Sequence, residues 1–269
     1  MILRVFPRRT SWTPDDDLVW IGEPGLFPID ADEVHVSVTF SWDVDRSRRI
    51  ADAWSRRGFD VKIGGPAISP PTDTFTPGRY VRPGVTFTTR GCPNHCPFCL
   101  VPDREGPLVE LPIQPGHEIA DNNIIAASND HFAKVCKMLE SQPRAARFIG
   151  GLEAKLLSHF HVDLLTKIRV SELFFACDFD HQLPHIQRAA SLLRPHFAQR
   201  YLRCYTLCGF NSQTPDQAEA RLNAILSAGM QPMAMLYQPP TGTKIRYPKP
   251  WNSLIRTWSR PALIAHKSP

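Results

Sequence analysis

The stretch Gly91-Cys92-Pro93-Asn94-His95-Cys96-Pro97-Phe98-Cys99 spaces three cysteines as Cys-x3-Cys-x2-Cys. Three thiolates this close can hold an iron-sulfur cluster, and because a cubane normally takes four ligands, one iron would be left open to another donor. The rival reading is zinc, with His95 completing a Cys3His set. Structural zinc sites usually pair two ligands with two more about a dozen residues away, so four tetrahedral ligands from one short run would strain the loop. With no metal at all, thiols so close together would be liable to oxidise. The choice decides what the rest of the chain must build.

At 269 residues and 42% hydrophobic content, the chain can bury a substantial core. No apolar run approaches the roughly 20 residues that cross a bilayer, and the N-terminus lacks an uninterrupted apolar signal core. No membrane partner and a cytoplasmic location are expected, which suits seven cysteines kept reduced. The net charge is +5, yet residues 241–269 alone carry +6, from Lys244, Arg246, Lys249, Arg256, Arg260 and Lys267 without any Asp or Glu. Tyr247, Trp251 and Trp258 interleave with these charges. Such a tail suits either a structural plug whose aromatics are buried or a surface that binds phosphates while stacking bases.

The first thirty residues, rich in Pro, Arg and Asp, read as irregular. Val34, Val36, Val38 and Phe40 then alternate with polar residues as in a half-buried strand. A helix over residues 44–57 and a strand over 59–63 complete a β-α-β unit. The Pro-rich segment Pro66 to Pro83 reads as a connector or flap. Beyond it, strands are expected at 85–89, 117–120, 146–149, 172–177, 201–208 and 230–237. Helices are expected at 129–139, 161–168, 185–193 and 215–228. The last has Thr214 and Gln217 spaced as a capping box, Pro215 in its first turn and Gly229 as its stop. Six parallel strands with crossover helices suit an α/β fold, a partial (βα)6 TIM-like barrel preceded by a small Rossmann-like unit. Between Cys99 and the second strand, Pro102, Pro107, Pro112 and Pro115 leave room for a single helical turn or an extended segment. The chain therefore divides into a front piece (1–83), the barrel (84–238) and a basic aromatic tail (239–269).

The cysteine run, with an aromatic residue before its third cysteine, resembles the signature of the radical S-adenosylmethionine (SAM) enzymes. The resemblance implies a 4Fe-4S cluster on Cys92, Cys96 and Cys99, SAM chelating the open iron, and an external electron donor of the flavodoxin or ferredoxin type. It also implies reductive cleavage of SAM to a 5'-deoxyadenosyl radical that abstracts a substrate hydrogen. The front unit is similar to half-domains of several such families, including cobalamin-binding ones, although the chain has no Asp-x-His-x-x-Gly signature. As a whole it resembles short phage and prophage members of unassigned substrate.

In the family, the residue at the position of Phe98 packs against adenine. A short polar motif after the second strand binds the SAM amino group, a role that falls here to Asp121, Asn122 and Asn123; an Asx-rich helix cap explains them equally well. Gly150 and Gly151, closing the third strand, either admit a ligand or make a tight turn. Arg203, if it faces inward, could meet the SAM carboxylate, and Tyr205 belongs to the fifth-strand motif near adenine. Met235 and Tyr237 end the sixth strand as candidate adenine walls, with core packing as the alternative. Glu153, Asp178, Asn211 and Tyr237 are the candidates for substrate contact, with helix capping the competing role for Asp178. Cys136, Cys177, Cys204 and Cys208 read as buried apolar thiols. Three functions stand open: a radical SAM enzyme on a nucleotide or nucleic-acid base, the same chemistry on a small metabolite or peptide, and a non-catalytic zinc- or cluster-stabilised binding module.

Overall fold

The structure is a computed structural model that describes residues 1–26, 29–68, 76, 78–240, 243–260 and 264. Much of the Pro-rich connector, and Lys267, lie outside the described residues. The chain builds two parallel sheets. In the first, β1 (Ile2–Phe6), β2 (Val19–Ile21), β3 (Glu33–Ser37) and β4 (Asp60–Gly64) run in the order β2-β1-β3-β4, with α1 (Val44–Arg56) crossing from β3 to β4. The β-α-β unit lies where its periodicity put it. The irregular reading of the first thirty residues is corrected by β1 and β2. Leu3 and Val5 pack into one buried cluster with Val34, Val36, Ile50 and Trp54, and the intervening Arg4 pairs with Asp16 on the far face.

The second part begins with β5 (Val85–Thr86), β6 (Thr89–Arg90), α2 (Val101–Glu105), β7 (Val109–Glu110) and β8 (Glu118–Ile119). It continues with α3 (Asn129–Glu140), β9 (Ala146–Leu152), α4 (His159–Leu165), β10 (Val170–Ala176) and α5 (Leu183–Leu193). It ends with β11 (Leu202–Cys208), α6 (Pro215–Ser227), β12 (Gln231–Leu236) and α7 (Lys249–Trp258). The large sheet has the order β12-β11-β10-β9-β8-β5, every pair parallel. It is open, with β5 and β12 as its edges. Between Cys99 and β8 the chain makes the short helix α2 and then runs extended into β7, which pairs antiparallel with β6.

Helix α6 forms for the reasons its sequence suggests. Thr214 and Gln217 make the reciprocal capping box, Pro215 occupies the first turn, and Gly229 exits at φ +91°. On β11, Cys204, Thr206 and Cys208 are buried, the two cysteines packing beside α6 residues, while Arg203, Tyr205 and Leu207 lie half-buried on the opposite face.

The basic tail is a working part of this layer. Trp251, Leu254 and Trp258 of α7 are buried against Ala218, Leu222 and Leu226 of α6, and Trp258 Nε1 donates to Glu219 at 3.1 Å. Each such apolar side chain contributes about 2 to 3 kcal/mol when fully buried. The Tyr247 hydroxyl donates to the Tyr237 carbonyl at 2.9 Å. The tail's tryptophans are therefore core, and the charges of its described residues, Lys244, Arg246, Lys249, Arg256 and Arg260, are left in solvent. Among the described residues, no helix is long and apolar enough to cross a membrane.

Candidate cluster and cofactor site

The cysteine loop leaves β5 at its carboxyl end and is closed at its base by the β6–β7 ribbon. Glu105 ties the closure together. Its carboxylate accepts from the Gly91 amide (3.0 Å), from Asn122 Nδ2 (2.6 Å) and from Arg90 (2.5 Å), linking the loop's start, its end and the segment after β8. Gly91, at φ +76°, is required, because a Cβ there would lie 2.1 Å from the Pro107 carbonyl oxygen. The Cys99 amide donates to the Cys96 carbonyl at 2.9 Å and the Val101 amide reaches Cys99 Sγ at 3.5 Å, so the second half of the loop is a tight turn into α2. The three thiols are half-buried. Burial pushes Cys96 up to about 11, with Cys99, Asp178, Cys92 and Glu153 adding to it. Burial raises Cys99 as well, against the Val101 amide. A bound cationic centre is what would hold such thiols as thiolates. A cavity of about 370 Å³ opens on this loop beside Cys92, His95 and Pro107.

The strand ends beside the loop sort the polar candidates. Asn123, 4% exposed, donates from Nδ2 to Glu153 at 2.6 Å and faces Cys92 Sγ at 3.8 Å. Glu153 also accepts from Asn94 inside the cysteine loop, at 2.9 Å. It thus anchors that loop and Asn123 together, a positioning contact. Asn123 Oδ1 is buried, with no hydrogen-bond partner among the described residues. Asp121 is corrected. It is 1% exposed, and its carboxylate accepts from the Thr88 amide (2.6 Å) and hydroxyl (2.5 Å), so it is taken up in stitching the end of β8 to the end of β5. Burial raises its pKa, opposed by those same hydrogen bonds. Asn122 is engaged by Glu105.

Gly150 and Gly151 lie within β9. A Cβ on Gly150 would sit 1.7 Å from the Asp121 carbonyl oxygen, so this glycine permits two backbones to approach and needs no ligand to explain it. Gly151, at φ +120°, makes the backbone turn that delivers Glu153. Asp178 accepts from the Leu207 amide across the sheet at 2.8 Å, and burial raises its pKa. The capping of the following turn belongs to Gln182, which accepts from the Asp178 and Phe179 amides.

Phe98 meets Phe210 at 5.4 Å and Phe179 at 5.7 Å, and Phe210 meets Tyr237 at 4.9 Å, an aromatic wall running from the cysteine loop to the end of β12. Beside it lies a cavity of about 180 Å³ lined by Asp178, Phe179, Phe210, Asn211 and Arg221. Asn211 is exposed in the left-handed conformation, φ +53°. Met235 is 42% exposed near the end of β12. Sequence reasoning missed Glu105, Asn94, Phe179 and Arg221. The acidic residue six positions after Cys99 was the signal available for the first.

Arg203 is corrected too. It lies at the amino end of β11 and bonds Gln231 and Glu172, the latter at 3.3 Å. Glu172 pairs with Arg147 at 2.6 Å, Arg147 with Glu118 at 3.4 Å, and Glu118 with Arg82 at 2.7 Å. This ladder crosses the sheet at the end opposite the cysteines. Tyr205 stacks on Phe174 at 4.6 Å. Cys136, Cys177, Cys204 and Cys208 are buried, and burial pushes Cys136 and Cys177 up to about 12.

The donor set suits an iron-sulfur cluster, with three soft thiols on one loop beside an orphaned acceptor, Asn123 Oδ1. Among the described residues, no three such side chains converge on one ion. A cubane asks for no such convergence, since each thiolate takes its own iron. No protein-family model matches the chain, and no curated protein matches it in sequence. Its fold is similar to that of the radical S-adenosylmethionine methyltransferase TsrM from Kitasatospora setae, a structure with cobalamin and a 4Fe-4S cluster bound. The TM-score is 0.56 at 12% identity, over 87% of this chain and 74% of that one. At that identity the likeness concerns the fold.

Proposed function

We propose that this chain is a radical SAM enzyme whose large sheet serves as a partial (βα)6 barrel, open at the β5 and β12 edges. One observation carries the reading. The three thiols lie on a loop at the carboxyl end of a sequential parallel sheet with the fold of a radical SAM methyltransferase, facing the strand ends that bear Asn123 and Glu153. When bound, the reduced cluster would supply the electron that splits SAM into methionine and a 5'-deoxyadenosyl radical able to take a hydrogen atom from the substrate.

Cys92, Cys96 and Cys99 would hold the cluster. Asn123 Oδ1 would accept a hydrogen bond from the SAM ammonium, and Glu153 would keep Asn123 and the loop in place. Phe98, Phe179, Phe210 and Tyr237 would wall the adenine and exclude water. The substrate readings are a nucleotide or nucleic-acid base on one side and a small metabolite or peptide on the other. An electron donor of the flavodoxin or ferredoxin type and a cytoplasmic setting complete the proposal.

The test is release of 5'-deoxyadenosine from SAM and dithionite by anaerobically reconstituted protein, with Cys96→Ala as control and a parallel arm containing hydroxocobalamin. Product that vanishes in the control supports the proposal. Zinc in place of iron, with no product, would instead establish a metal-stabilised binding module.

A further inference from the structure

The aromatics expected to stack bases, Trp251 and Trp258, are buried, but a different ring, Trp42, stands in solvent with the half-buried Phe40 beneath it. Trp42 is 58% exposed, and its ring stacks on Phe40 at 4.6 Å and 7°. Lys244 of the tail lies over the Trp42 ring at 5.3 Å. Ser41 Oγ donates to the Pro240 carbonyl at 3.3 Å, so the carboxyl edge of the front sheet touches the segment that leaves the carboxyl end of β12. The pair therefore stands at the end of the large sheet that carries the cysteine loop. In the sequence flanking Trp42 and Lys244 several exposed side chains are cationic: Arg46 and Arg49 on α1, then Arg246 and Lys249 after Lys244. Asp43 is buried and paired with Arg8, and Asp45 pairs with Arg48.

We infer that Phe40, Trp42 and Lys244 form a stacking platform for single-stranded nucleic acid, the flanking cations meeting its phosphates. An exposed ring beside several cations complements a chain of bases and phosphates, because every base offers a π face and every linkage a negative charge. A folded protein partner would bury the ring but would not call for a run of exposed cations beside it. The inference deepens the nucleic-acid form of the proposed function and rests on it for its purpose, while its test needs no turnover.

The experiment measures fluorescence anisotropy of labelled DNA and RNA single strands of about 16 nucleotides, titrated with the full reconstituted chain at several salt concentrations. Trp42→Ala is expected to weaken binding about tenfold, with Trp42→Phe restoring most of it. Lys244→Ala should flatten the dependence of log affinity on log salt by roughly 0.7. Unaltered affinity in Trp42→Ala for both strands, or polyglutamate bound as tightly as either strand, overturns the inference. Trp42-dependent binding without 5'-deoxyadenosine formation would remove the reaction and leave the surface. Formation of that product without Trp42-dependent binding would do the reverse.

Discussion

At the amino end of the large sheet, Arg82, Glu118, Arg147, Glu172 and Arg203 hand their charges from strand to strand, each acid lying between two guanidinium groups. At the carboxyl end, Glu153 is held by the side-chain amides of Asn94 and Asn123, and Asp178 by the Leu207 amide. The first arrangement closes on itself. Each of its two carboxylates is shared by two guanidinium groups, so neither acid is stranded. In the second, Glu153 is held by neutral side-chain amides near three thiols, which leaves room for a cationic partner. Both ends carry charged side chains on the same strands, so residue type does not reveal which end does chemistry. What sets the carboxyl end apart is the loop of three half-buried thiols beside Asn123 and Glu153.

The comparison breaks most sharply at Glu153. Glu153→Ala frees Asn123 and the cysteine loop, and 5'-deoxyadenosine formation should fall by about 10- to 100-fold, the usual cost of losing a group that orients metal ligands. Thermal unfolding should scarcely move. Gly150→Ala is expected to act on both quantities. Its Cβ overlaps the Asp121 carbonyl, so stability should drop by about 2 to 3 kcal/mol in denaturant titrations, with product formation falling as the Asp121–Asn123 segment shifts.

Glu172→Ala probes the opposite end. It leaves Arg147 and Arg203 short of a partner and should cost about 2 kcal/mol, less than a fully buried pair because both guanidinium groups keep some solvent. Product formed per folded molecule should not change. The smallest effect concerns pH. Burial lowers the His117 pKa, against the pull of Glu118 and with Arg144, Arg82 and Arg147 adding to the lowering. The folded state then resists a proton that the unfolded chain accepts. This contribution to stability is full above the ordinary histidine range and declines as pH falls through it. His117→Gln should make the melting temperature less sensitive to acidification.

Much of this was legible in the chain. The strands β9 to β12 and the helices α3, α5 and α6 carry long, strongly periodic patterns, and their positions match those patterns closely. Strands β1 and β2 did not declare themselves. They are short, and Pro7, Arg8 and Arg9 follow β1 directly, so local composition masked a pairing that only tertiary burial reveals. Helix α7 was hidden because Pro250 reads as a breaker where it in fact opens the first turn. At the candidate site, the clustering of the three cysteines was plain from spacing alone. Asp121 and Arg203 were not, since the first depends on which way one side chain turns at a strand end and the second on which end of a strand a residue occupies.

The most direct test of the central claim is the electron paramagnetic resonance spectrum of the dithionite-reduced, reconstituted protein, recorded with and without SAM alongside its iron and sulfide content. The account expects about four irons per chain and a 4Fe-4S signal that shifts when SAM is added, because on the proposed reading SAM would bind the iron that the three cysteines would leave open. A signal indifferent to SAM, or zinc bound with no iron, would contradict it.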